Sequence, residues 1–133
     1  MSDSDVVLFA NEAFYRAFAD RDIKAMEQTW AVNTSVCCIH PGWIAIRDRG
    51  KILESWRSIL KNPGSPDIRC CAAEVMMWGN VGAVVCFEQI GENYLMATNL
   101  YVQEGGQWRI VHHQAGLTNA PPPGEEEASG AMN

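Results

Sequence analysis

The sequence predicts an α+β domain, with helices packed on one face of a mainly antiparallel sheet. Three observations carry this. Apolar residues in the N-terminal half recur at helical spacing. After Pro66 the chain reads as consecutive strands broken by short glycine-containing turns. The 133 residues suffice for one domain with its own core.

In residues 4–20, Val7, Ala10, Phe14 and Ala17 follow the i, i+3, i+4 rhythm, with Phe18 beside them. A first helix is expected there, capped by Ser4 or Asp3. Asp20-Arg21-Asp22 interrupts it, and Asp22 suits the N-cap of a short second helix ending near Trp30. Residues 34–40 are rich in strand formers and stop at the turn signal Pro41-Gly42. A third helix is expected over 48–61, through Ile52, Trp56, Ile59 and Leu60, ended by Asn62-Pro63-Gly64-Ser65-Pro66. Residues 67–78, 81–90, 93–104 and 107–117 then read as a meander. Its connections are Gly79-Asn80, Gly91-Glu92-Asn93 and Gly105-Gly106. The segment 120–133 holds three prolines and Glu125-Glu126-Glu127 and has little to bury. It is expected to be a disordered acidic tail, leaving 1–119 as the folded domain.

Composition excludes several functions. Net charge is −6 and Lys and Arg are scattered, which gives no basic surface for nucleic acid. No apolar run approaches the ~20 residues needed to cross a bilayer. The acidic start Met1-Ser2-Asp3-Ser4-Asp5 lacks the parts of a signal peptide, so a cytoplasmic location is expected. The five cysteines, with no C-x-x-C, read as reduced thiols rather than a disulfide framework. With no phosphate loop, nucleophile elbow or dinucleotide fingerprint, no cofactor is expected.

Two strand-like segments hold all the histidines: Cys37-Cys38-Ile39-His40-Pro41-Gly42-Trp43 and Trp108-Arg109-Ile110-Val111-His112-His113-Gln114. Side chains alternate faces along a strand. Cys38 and His40 therefore share one face, and Trp108, Ile110, His112 and Gln114 share another. Turned inward together, they place two imidazoles, a thiol and an amide around an apolar cavity, which is a small-molecule site. His113 falls on the opposite face, toward solvent or a dimer interface. His40, at a strand end and near a reference pKa of about 6.5, suits proton transfer; bonded to backbone, it would instead hold the turn. Zinc accepts a His40, His112 and Cys38 ligand set, but no metal-site spacing supports it and no metal is expected. Trp43 and Trp108 are placed to line the cavity mouth and stack on a flat ligand.

This order of elements resembles the nuclear transport factor 2-like superfamily, which includes ketosteroid isomerases and SnoaL-like polyketide cyclases. The resemblance spans roughly residues 5–118. It rests on Asn11-Glu12-Ala13-Phe14-Tyr15-Arg16-Ala17-Phe18-Ala19-Asp20-Arg21-Asp22, and on the Cys38–Trp43 and Trp108–His113 runs, which are similar to one bacterial SnoaL-like subgroup. It implies a cone-shaped roll with a strongly bent sheet, whose outer face makes a homodimer.

The isomerase branch uses an Asp base with an oxyanion hole of Tyr and protonated Asp. At those positions this chain carries Cys38 or His40, Phe14 (with Tyr15 one place later, pointing elsewhere) and Asn99 beside Thr98. Phe cannot donate a hydrogen bond, whereas Asn99 can. Ketosteroid isomerase activity is therefore not expected. The expectation is a cofactor-independent acid–base isomerase, cyclase or dehydratase acting on a small hydrophobic or carbonyl-containing molecule. His40 would move the proton and Asn99 or Gln114 would polarise the carbonyl. Phe14, Phe18, Trp43, Tyr101 and Ile110 would form the wall. The alternative is a non-catalytic ligand-binding or dimeric assembly module.

Overall fold

The computed structural model describes residues 1–124, so the expected tail beyond that point lies outside the described residues. The elements run α1 (Asp3–Ala19), α2 (Ile23–Thr29), β1 (Cys37–Ile39), α3 (Arg49–Lys61), β2 (Arg69–Trp78), β3 (Val81–Ile90), β4 (Asn93–Glu104) and β5 (Gln107–Thr118). The sheet order is β1-β5-β4-β3-β2, antiparallel except for the parallel β1/β5 pair. The architecture is an open α+β roll, three helices on one face of a five-stranded mixed sheet.

The helix starts follow from their caps. Ser2, rather than Ser4 or Asp3, caps α1: it forms a reciprocal capping box with Asp5, which starts the helix one residue earlier than the apolar rhythm does. Asp22 and Asp48 cap α2 and α3 through bonds from the Ala25 and Lys51 amides. Arg21 takes a left-handed conformation (φ 52°) just after α1. Its guanidinium donates to the carbonyls of Asn62 (2.9 Å) and Ser65 (2.6 Å), tying the α1 end to the chain leaving α3. Strand β1 is shorter than expected, three residues rather than the span 34–40.

The hairpin turns lie where glycines permit positive φ. Gly105 and Gly106, at 56° and 80°, supply the two left-handed residues of the β4–β5 turn. Two bulges matter for the site. In β2 the register shifts between Cys71 and Glu74, where Ala72 has φ 53°. In β5, Tyr101 pairs with Ile110 while the adjacent Leu100 pairs with His112, so Val111 is an extra residue.

The core lies between the helices and the inner sheet face. Val7, Phe14, Trp30, Ile52, Trp56, Tyr101 and Ile110 are all at most 1% exposed. Phe14 meets Trp56 and Tyr15 edge-on, at centroid distances of 5.5 and 4.9 Å.

Candidate active site

The open end of the roll holds a cavity of about 610 Å³. Phe18 of α1, Trp56 and Ile59 of α3, the 40–43 turn, the 65–68 segment and the inner ends of β3, β4 and β5 enclose it. No Lys or Arg lies among its lining residues, and Glu88 is the one carboxyl there. The wall is otherwise mainly apolar.

Glu88 comes from β3, where Val84, Cys86, Glu88 and Ile90 share one face. It is 2% exposed, and burial pushes its carboxyl up to about 7, although the Tyr15 hydroxyl opposes this by donating to Oε2 at 2.6 Å. Tyr15 in turn accepts from Asn99 Nδ2 at 3.0 Å. The second Nδ2 hydrogen of Asn99 goes to Asn11 Oδ1 at 3.0 Å, which also accepts from the Tyr101 hydroxyl at 2.9 Å. Asn99 Oδ1 lies 2.6 Å from His113 Nδ1. With both asparagines turned the other way, Tyr101 would lose its acceptor and one Tyr15 proton would have to serve two. This orientation gives every donor a partner.

The consequence is a fixed tautomer. A carbonyl oxygen accepts only, so His113 carries its proton on Nδ1 and leaves a lone pair on Nε2. That nitrogen lies 4.0 Å from Glu88 Oε2. Burial, helped by the neighbouring His40 and His112, lowers the His113 pKa to about 3, so the ring is neutral at pH 7.

His40 lies across the cavity, its ring centroid 6.5 Å from that of His113. Ser55 Oγ donates to the Ile52 carbonyl at 2.6 Å, so it must accept from His40 Nε2–H at 2.9 Å. Burial lowers the His40 pKa to about 4. This corrects the expectation of a histidine titrating near its reference value. Trp43 and Trp56 pack edge-on against the ring, each at 4.8 Å.

The other expected site residues divide. Phe18, Trp43 and His40 line the cavity. Phe14 and Ile110 are fully buried in the core instead. Cys38 is buried, its Sγ 3.7 Å from His40 Nε2, and burial holds its thiol up at about 12. Tyr101 is bonded to Asn11 behind the network, and Trp108 lines small clefts near α2 and the β2–β3 turn rather than the mouth. His112 and Gln114 do not face the cavity. They pair with Leu100 and Thr98 on the outer face, and the inward residue is His113. The cause is the extra Val111, which shifts the alternation by one residue. The zinc set His40, His112 and Cys38 is therefore not brought together.

Sequence reasoning missed Glu88, Tyr15, Asn11 and His113. Tyr15 was expected to point away, yet it reaches Glu88 because Phe14 takes the position against Trp56. A signal for Glu88 was present: a single acid on the otherwise apolar Val84, Cys86, Ile90 face.

Three helices on one face of an open, five-stranded mixed sheet are the α+β architecture of the NTF2-like, or cystatin-like, proteins. The chain belongs to the SnoaL-like domain family, whose model matches residues 7–119. It is similar to a presumed dehydratase of the NTF2-like family from Streptomyces avermitilis. That match has 25% identity and a TM-score of 0.80, covering 89% of this chain and 97% of that one. It is also similar to a presumed calcium/calmodulin-dependent protein kinase type II association domain from Thiobacillus denitrificans. There the identity is 30% and the TM-score 0.70, with 83% and 93% of the two chains covered. An NTF2-like protein of unknown function from Pseudomonas putida shares the fold at 16% identity and a TM-score of 0.76, over 90% and 96% of the chains. Compared with the curated proteins, the chain matches none. Among the described residues, no helix is long and apolar enough to cross a membrane.

Proposed function

We propose that this chain is a cofactor-independent acid–base enzyme for a small, uncharged, mainly apolar molecule with a carbonyl group, and that Glu88 moves the proton. The observation that carries this is the single buried carboxyl, Glu88, lining a mainly apolar cavity, where burial pushes its pKa up to about 7. A base near the working pH is populated in both forms, which suits abstraction and return of a proton. As carboxylate, Glu88 takes a proton from carbon beside the carbonyl. As acid, it returns the proton to another carbon in an isomerisation, or to a leaving hydroxyl in a dehydration. The second outcome fits the likeness to the Streptomyces protein.

In this scheme His40 is part of the wall and offers its Nδ1 lone pair to a substrate hydroxyl. Asn99 is a positioning residue that holds Tyr15 and His113. The absence of Lys and Arg from the lining disfavours carboxylate and phosphate ligands. The five cysteines, none in a disulfide, suit a reducing cytoplasm.

The test is carbon-bound deuterium uptake from D₂O, followed by NMR, across a panel of neutral ketones and β-hydroxy ketones. Uptake with the native protein that falls at least ~100-fold in Glu88→Gln supports the proposal. Equal uptake by both proteins, or none by either across the panel, contradicts it.

A second reading is a dimeric assembly module. The likeness to an association domain favours it, as does the outer sheet face, where Met76, Trp78 and Met96 are exposed. We propose a homodimer through this face under either reading. Sedimentation of the native protein against Trp78→Glu checks it: a dimer that the variant dissociates is the expected result.

A further inference from the structure

We propose that Cys70 and Cys86 form a peroxide-responsive thiol pair, reached from solvent through a second cavity between α1 and β2. That cavity, of about 600 Å³, is lined by Asn11, Tyr15, Arg16, Arg69 and Cys70 among others. It shares only Ile68 with the cavity bearing His40, and Tyr15, which holds Glu88, lines its wall.

The strand register puts the two cysteines on one face. Cys70 stands opposite Glu88 across the β2/β3 ladder, and Cys86 lies two residues from Glu88 on the same inner face. Each thiol perturbs the other's titration: Cys86 holds the Cys70 pKa down and Cys70 pushes that of Cys86 up. One turn of α1 covers both: Asn11 Nδ2 donates to Cys70 Sγ at 3.8 Å, and the Tyr15 oxygen lies 3.3 Å from Cys86 Sγ. Cys86 is fully buried, whereas Cys70 is half-buried at the cavity wall. The bulge between Cys71 and Glu74 begins one residue beyond Cys70, which gives the backbone slack to bring the sulfurs together.

The roles follow from access. Cys70 meets the oxidant, and the Asn11 amide, which donates to its sulfur, favours its thiolate. The thiolate attacks hydrogen peroxide, the O–O bond breaks, and Cys70 sulfenic acid forms with release of hydroxide. The Cys86 sulfur then attacks the Cys70 sulfur. The S–O bond breaks, and the hydroxyl leaves as water with the Cys86 proton. The sum is two thiols and one peroxide giving one disulfide and two waters. The bond takes Cys86 away from Tyr15, so oxidation reaches the residue that holds Glu88.

The test treats the folded native protein with a small excess of hydrogen peroxide, caps remaining thiols and maps peptides without reduction. The expected result is a mass lower by about 2 Da, reversed by dithiothreitol, with Cys70 joined to Cys86. With dimedone present, Cys86→Ser should trap the sulfenic acid at Cys70. Five intact thiols, a bridge between other cysteines, or overoxidation of Cys70 without a bridge would overturn the proposal. The native protein decides this alone, should the variant fold poorly.

Discussion

The Tyr15 hydroxyl donates to Glu88 Oε2 at 2.6 Å, joining residues 73 positions apart and bridging α1 to β3 beneath the cavity. A buried tyrosine at this distance secures the acid's position without neutralising it. Removal of Tyr15 frees Glu88 to rotate and removes the one interaction that holds its pKa down. Tyr15→Phe should therefore raise the Glu88 pKa further, shifting the acidic limb of any activity, where the carboxylate is lost, to higher pH. A pH–rate profile that is unchanged between the two proteins would contradict this role.

Glu88 also sets a stability signature. Its folded pKa, about 7, lies above the ordinary 4.5, so between those values the native state binds a proton that the unfolded chain has lost. Stability from this group is full below pH 4.5 and declines up to about pH 7. The two buried histidines act oppositely: depressed to about 4 and 3, they cost stability as pH falls below 6.5. Relative to the native protein, Glu88→Gln should gain roughly 3 kcal/mol between pH 4.5 and 7.5. Urea denaturation at the two pH values measures the difference. A constant difference would contradict it.

Asn99 satisfies three partners at once, Asn11, Tyr15 and His113. Asn99→Leu has similar volume but strands the His113 Nδ1–H and removes two bonds. The expected loss is about 2–4 kcal/mol by chemical denaturation. Nitrogen-15 NMR of the native protein should show His113 protonated on Nδ1 with a bare Nε2 at pH 7. The variant should show a mixture of tautomers.

Gly82 is required for α1 to lie on β3. A Cβ placed there would sit 2.6 and 2.8 Å from the Val7 methyl carbons. Gly82→Ala should destabilise by about 1–3 kcal/mol. Adding Val7→Ala to it should cost less than the two single changes together, because the second removes the clash. Strict additivity would show that the contact is relieved elsewhere.

Much of the fold was legible, because its determinants are local. Asp22 and Asp48 announce helix starts, Asn62-Pro63 ends α3, and paired glycines mark a hairpin. The inward phase of β5 was not legible past Ile110, because a bulge is decided by pairing with β4 rather than by its own residues. One extra residue, Val111, moved His112 out and His113 in. Tyr15 was misplaced for a similar reason: the tilt of α1 against Trp56 decides which of two adjacent aromatics faces the sheet. The raised pKa of Glu88 depends on burial by α1, β4 and β5, which no reading of β3 alone contains.

Proton transfer by Glu88 requires that it exchange its proton near neutrality. Carbon-13 NMR of the glutamate carboxyls, with Glu88→Gln to assign the signal, measures it directly. The expected Glu88 midpoint is about 7. A midpoint near 4.5 would mean that the carboxyl is ionised throughout, and would contradict the proposed proton transfer.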